Sequence, residues 1–211
     1  YKPILEVDSG DLVILQCVSG APDVVAEAEA LGLKIPPALA AIHASNPPRL
    51  GPHILTGPVA VKGAMPGDVL EVEILEIRLR SPYGWMMIGG SGILADEFRA
   101  PKNKLIMLDR RGLTAEFAPG LRLPVRPFFG NLGVAPAEGR IGSGPPATTG
   151  ANLDNKCLVA GSKVYLPVQV PGALFATGDG HAVQADGELS GTAIETNLTG
   201  VFRFTVRKNI P

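Results

Sequence analysis

Asp179 and His181 stand two residues apart in Gly178-Asp179-Gly180-His181, and on an extended segment both side chains project to the same face. A carboxylate beside an imidazole can ligate zinc or another divalent cation, or work as an acid–base pair. Gln184, Asp186 and Glu188 add oxygen groups within a few residues, and Gly178, Gly180 and Gly187 let the backbone approach a ligand closely. The same composition also suits an Asx-rich surface turn carrying a solvated histidine. On this segment alone both readings stay open.

Two more loops concentrate polar residues: Asn46-Pro47-Pro48-Arg49-Leu50-Gly51-Pro52-His53 and Gly150-Ala151-Asn152-Leu153-Asp154-Asn155-Lys156. His53 reads as a capped or surface residue as readily as a ligand. Asp154 with Lys156 is either a turn ion pair of little energetic worth or, in a desolvated cleft, a pair that orients an amide and tunes a carboxylate. Cys17 lies in an apolar run and reads as core. Cys157 follows Lys156, a neighbour that could lower its pKa, but no histidine partner is evident nearby. Trp85 reads as core or pocket wall. Gly89-Gly90-Ser91-Gly92 lacks the Lys-Ser/Thr of a phosphate loop, and the chain has neither a Gly-x-Ser-x-Gly elbow nor a Ser-Ser-Lys run.

The chain carrying these groups has 211 residues, 45% hydrophobic and only 18% charged, which is ample material for a dry core. Its 26 glycines and 20 prolines are scattered through apolar stretches, which excludes collagen and simple disorder. An aromatic share of 5% and a net charge of -1 without a basic run remove the footprint of a nucleic-acid binder. No window approaches about 18 uninterrupted apolar residues, so no transmembrane helix and no membrane partner are expected. Two cysteines make neither a disulfide framework nor a cysteine-based zinc site, and with no signal-type stretch they favour a cytoplasmic protein. The chain opens at Tyr1 and stops at Pro211 directly after a strand-like run, so part of a longer polypeptide is expected to be cleaved, missing or carried on another chain.

Short apolar or alternating runs between Gly and Pro read as strands and turns. Leu12–Val18 follows the turn signal Asp8-Ser9-Gly10-Asp11, and Val59–Val61 leads through the turn pair Pro66-Gly67 into Val69–Ile77. In that last run the alternation slips once at Ile74-Leu75, which predicts a bulge, with Glu71, Glu73 and Glu76 facing water. Further strands are expected at 104–108, 163–168 and 201–206. Pro22–Leu33 has helix-forming composition, and Pro36–Ala44 suits a short helix. The expected fold is mainly β, a β-sandwich or jelly-roll with long loops and one or two short helices.

The stretches Thr56-Gly57-Pro58-Val59, Gly63–Val72, Pro127–Pro136, Gly150–Lys156, Pro171–Phe175, Gly178–Ala182 and Gly191–Thr196, taken together and in order, resemble the acetamidase/formamidase family. The resemblance runs from Pro3 to Val206. It implies a single β domain over residues 1–211 that lacks the family's extreme N- and C-terminal portions. It also implies a metal-dependent hydrolase of formamide or acetamide, and a homo-oligomer, commonly a dimer, with a second chain as one source of the C-terminal portion. Ala151 and Ala185 stand where the family usually has glycine, and Leu153 where it has methionine.

The clustering of these groups in Gly-rich loops makes Asp179 and His181, helped by His53 or Asp154, the expected ligands of a divalent metal, zinc first and calcium as the alternative. The metal would polarise the amide carbonyl and make hydroxide available from bound water. Asp154, Lys156, Glu188 and Glu195 are the candidate catalytic groups, with Glu188 or Glu195 passing the water proton to the leaving ammonia. Asn152, Gln184 and Trp85 are candidate substrate contacts. Asn152 and Lys156 would stabilise the oxyanion, while Trp85 and Leu153 would limit acyl length. The rival readings are a metal-free amidase with a carboxylate or Cys157 as nucleophile, and a non-catalytic jelly-roll binding subunit.

Overall fold

The computed structural model describes residues 2–208; Tyr1 and the three residues ending at Pro211 lie outside it. Glycine and proline cut the chain into short elements. The first are strands β1 (Leu5–Val7) and β2 (Leu12–Cys17), followed by helices α1 (Pro22–Ala30) and α2 (Pro37–Ser45). Next come β3 (Leu55–Val61), β4 (Val69–Leu79), β5 (Tyr83–Ile88), β6 (Lys102–Asp109), β7 (Thr114–Ala118) and β8 (Leu121–Pro124). The last group is β9 (Phe128–Gly133), β10 (Pro146–Ala147), β11 (Gly150–Asn152), β12 (Lys163–Pro167), β13 (Phe175–Val183), β14 (Ile194–Glu195) and β15 (Leu198–Arg207).

These strands make two sheets. The larger runs β10-β11-β9-β13-β14-β5-β6-β7-β8, with β3 also on β13 and β1 on β3. The smaller is β12-β4-β15-β2. Every pairing is antiparallel except β1 with β3. The alternation in β2 buries Val13, Leu15 and Cys17 and exposes the residues between, as one core-facing side requires. Across the interior, Phe129 and Phe175 of the larger sheet meet Phe202 and Phe204 of the smaller at centroid distances of 5.4 Å (Phe129–Phe202) and 5.0 Å (Phe175–Phe204). The mainly β expectation therefore holds, as two sheets closed over an apolar layer.

Three local readings are refined. The slip near Ile74-Leu75 is real: Val201 pairs with Glu76 and Phe202 with Ile74, which leaves Leu75 as the extra residue. Glu71, expected to face water, is buried, because Lys163 and Arg207 close over it at 2.8 and 2.6 Å. Segments read as loops are partly strand: Gly150–Asn152 is β11, and Gly178–Val183 belongs to central β13. Glycine at 180 is a packing requirement, since a Cβ there would stand 2.5 Å from the Thr196 carbonyl oxygen. Among the described residues no helix is long and apolar enough to cross a membrane.

Candidate metal centre

The site is built on adjacent strands β9 and β13. Gly178 pairs with Asn131 and Gly180 with Phe129, so Asp179 faces Gly130 across the strand pair. Asp179 holds a left-handed φ of 56°, a conformation that aspartate tolerates better than most residues but that still strains the chain. The Gly130 carbonyl accepts two amide hydrogens, from Leu153 at 2.8 Å and Asp154 at 3.1 Å, and so draws the turn after β11 onto the same spot. Asp154 is likewise left-handed, at 43°. The Gly130 surface is the floor of the resulting cradle: a Cβ there would meet Asp179 Oδ2 at 2.6 Å, Asp154 Oδ1 at 2.7 Å and His181 Cε1 at 2.9 Å.

The hydrogen bonds fix which ring nitrogens are bare. Gln184 donates its amide nitrogen to the Asp154 carbonyl at 2.8 Å, so its oxygen is the atom 2.8 Å from His181 Nδ1. An oxygen can only accept, so Nδ1 carries a hydrogen and His181 Nε2 is the nitrogen left to take a cation or a second proton. The Ser143 carbonyl, 2.8 Å from His53 Nδ1, sets the second imidazole in the same way. The two bare nitrogens then face carboxylates: His181 Nε2 lies 3.3 Å from Asp179 Oδ1, 3.8 Å from Glu188 and 4.0 Å from Asp154, and His53 Nε2 lies 3.6 Å from Asp179 Oδ2.

Lone pairs facing anionic oxygens repel unless a proton or a metal ion stands between them. Asp154 Oδ1, Asp179 Oδ1 and His181 Nε2 are all buried and without a hydrogen-bond partner. Unsatisfied buried polar atoms are costly, and two carboxylate oxygens within 3.3 and 4.0 Å of His181 Nε2 fit a cation beside that nitrogen. Asp154, His181 and Glu188, and likewise Asp179, His181 and Glu195, are spaced to share an ion. The electrostatics agree. Burial, followed by the other carboxylates, pushes the Asp154, Glu188 and Glu195 carboxyls above their usual range. Burial opposes charge on His181, but Asp179 beside it, with Glu195 and Glu188, outweighs that and raises it to about 9. Phe128, edge-on to the His181 ring at 4.8 Å, seals the apolar side.

Asp154, Asp179, His181, His53, Glu188 and Glu195 are thus brought together, the last with Ser19 Oγ donating to it at 3.0 Å. Asn152 donates to Asp154 Oδ2 at 2.6 Å, and Gln184 has both ends committed to the site's own groups. Lys156 is elsewhere: it pairs with Asp186 at 2.8 Å, both side chains exposed. Cys157 is exposed, and the Cys17 thiol is buried, its pKa pushed up to about 11 by desolvation. Trp85 pairs in register with Glu195, and its indole nitrogen is buried without a partner near Gly20. A cleft of about 510 Å3 opens beside His53 and Asn131, but neither Trp85 nor Leu153 lines it. Leu153 packs against the core instead.

Gly130, Asn131 and Ser143 belong to the site although no side-chain chemistry in the sequence marks them. Asn131 donates to the Ser143 carbonyl at 3.0 Å and to Asn152 Oδ1 at 3.2 Å, tying β9, β11 and the 142–144 loop together. Gly130 and Asn131 do stand inside Pro127–Pro136, and that motif was the available signal.

The sequence model of the acetamidase/formamidase family matches residues 3–142 and 141–210. The chain belongs to that family. The acetamidase of Bacillus halodurans is similar in structure, with a TM-score of 0.81 and 35% identity over 100% of this chain and 66% of that one. A predicted acetamidase/formamidase of Thermoanaerobacter tengcongensis superposes with a TM-score of 0.84 at 32% identity, covering 100% and 65% of the two chains. The acetamidase of Mycolicibacterium smegmatis is 27% identical in an alignment of 199 residues that takes in 65% of this chain and 49% of that protein. This member of the family spans about half the length of the curated relatives it matches.

Proposed function

We propose that the chain carries the site of an amidohydrolase that cleaves short linear amides to a carboxylate and ammonia, with a divalent cation held by Asp154, Asp179 and His181. The observation that carries this reading is that Asp154, Asp179 and His181 close over the Gly130 surface, each with a buried, partnerless polar atom. One imidazole nitrogen among carboxylate oxygens favours zinc over calcium, which takes oxygen ligands only. His53 and Glu195 stand ready to complete the coordination. When bound, the cation supplies Lewis acidity toward the amide carbonyl and toward water.

The protein's own groups do the rest. Glu188 is the better candidate for moving the proton. Its carboxyl lies 3.8 Å from His181 with 19% of its side chain still exposed, and burial raises its pKa above the ordinary carboxylate value. Glu195 is closed in and bonded to Ser19. Glu188 takes a proton as water adds to the carbonyl carbon, then returns it to the nitrogen as the C–N bond breaks. Asn152 has a second amide hydrogen besides the one given to Asp154, which supports it as the side-chain donor to the oxyanion. For Lys156 to serve, it must leave Asp186.

Exposed, unpaired Cys157 fits a reducing, cytoplasmic setting. A homo-oligomer fits the exposed Leu12 and Ile14 on edge strand β2. The central test is ammonia release from formamide and acetamide by the full chain, before and after chelation and in Asp179→Asn and His181→Ala. Loss in all three supports the reading; undiminished release after chelation and in both variants removes the cation from it.

A further inference from the structure

The cleft beside the metal centre is far larger than a small amide needs. Its volume is about 510 Å3. Allowing about 30 Å3 for each non-hydrogen atom, the share of a molecule in liquid water, the four heavy atoms of acetamide need about 120 Å3. The cleft's polar end is His53 and Asn131, and His53 is the residue whose Nε2 lies 3.6 Å from Asp179. Beyond that end the walls are mostly apolar, formed by Leu50, Ile54, Leu55, Pro58, Ile141 and Leu174, with Ser143 and Thr149 the uncharged polar residues among them. The two arginines on the lining are both engaged: Arg49 lies 3.3 Å from His43 Nδ1, and Arg140 has its own partner. Ala151, left-handed at a φ of 68°, turns its methyl-bearing residue to the same lining. That is further apolar surface at a position where glycine would carry no strain.

Resting on the hydrolase reading above, we propose that the substrate amide carries an apolar acyl chain or ring larger than acetyl, which fills this cleft and turns its carboxamide toward His53 and the metal centre. The acyl group gains burial in proportion to its length, and discrimination by such a wall grows by about fourfold for each methylene it seats. Acetamide leaves most of the cleft unfilled.

The test compares kcat/KM for formamide, acetamide, hexanamide and phenylacetamide, by ammonia release from the zinc-loaded full chain. Hexanamide or phenylacetamide is expected to exceed acetamide by at least about tenfold. In the double variant Leu50→Ala/Ile141→Ala the hexanamide-to-acetamide ratio is expected to fall about fivefold. Leu50 and Ile141 are 57% and 39% exposed, so truncation opens no core, and a ratio taken on one sample is independent of the folded fraction. Acetamide turned over as well as or better than the longer amides, or an unchanged ratio in the double variant, overturns the cleft assignment and leaves the hydrolase reading standing. Silence toward all four amides overturns the hydrolase reading and this inference with it.

Discussion

Gly130 faces Asp179 across the β9–β13 pair so closely that a methyl group on residue 130 would stand 2.6 Å from the aspartate's Oδ2. The same methyl would stand 2.7 Å from Asp154 Oδ1. Residue 130 therefore acts by what it lacks. Gly130→Ala is expected to fill the cradle and weaken zinc binding about 10- to 100-fold, the usual cost of disturbing what positions a metal's ligands. Calorimetric titration of the chelator-stripped protein measures this directly, and circular dichroism checks that the sheets persist. Zinc affinity within a few-fold of the parent would show that the cation sits elsewhere.

Gln184 links His181 Nδ1 to the Asp154 carbonyl, so one amide sets both the ring orientation of one proposed ligand and the position of the loop carrying another. Gln184→Leu is of similar size but offers no acceptor. It is expected to lower zinc affinity about 10- to 100-fold, the usual cost of losing an orienting partner. Gln184→Glu keeps an acceptor for Nδ1 and is expected to recover most of the His181 contribution. Equal affinities in the two variants would mean that Gln184 acts only by filling space.

How much of this could be read in the residues alone follows from the range of each interaction. Asp179 and His181 were legible because their relation is local, two positions on an extended segment. Their strand was mistaken for a loop because glycines at 178 and 180 look like turn signals, whereas each stands where another backbone crowds in. The bulge at Leu75 was legible in the alternation; the burial of Glu71 was not, because its cover comes from Lys163 and Arg207, far along the chain. The same distance hid the tautomer of His53, set by Ser143 ninety positions later. It hid the true partner of Lys156 too, since a neighbour in sequence, Asp154, was the nearer guess and Asp186 is the contact formed.

Glu71 is the point where the outer face of the smaller sheet is held together. Arg207, first, and Lys163 hold its carboxyl down at about 2. A depressed carboxylate contributes stability above its ordinary pKa, and that contribution disappears as pH falls from about 4.5 toward 2. Glu71→Gln is expected to cost about 1–2 kcal/mol near neutral pH, less than a fully buried pair, because both cations are half exposed. Urea midpoints should separate the parent and Glu71→Gln at pH 7 and converge near pH 2. Ammonia release should be unaffected, because Glu71 lies in the other sheet. A gap that persists at low pH would mean the loss is one of packing rather than charge.

Without a cation, the acid groups around His181 are expected to hold protons instead. Burial raises the carboxyls of Asp154, Glu188 and Glu195, and His181 titrates near 9. A histidine whose folded value exceeds its unfolded one of about 6.5 contributes stability fully below that pH and loses it as pH climbs through about 9. The raised carboxyls have the same sign, favouring the folded state when protonated and opposing it when ionised. The chelator-stripped protein should therefore lose melting temperature between pH 7 and 9. The zinc-loaded protein should not, because the cation replaces the protons that are lost. Loading at pH 7 must then expel protons, so the apparent binding enthalpy should change in step with the ionisation enthalpy of the buffer, and affinity should weaken as pH is lowered. A binding enthalpy that is the same in phosphate and Tris, with affinity flat from pH 6 to 8, would place the ion on groups that are already fully ionised, away from His181 and its carboxylates.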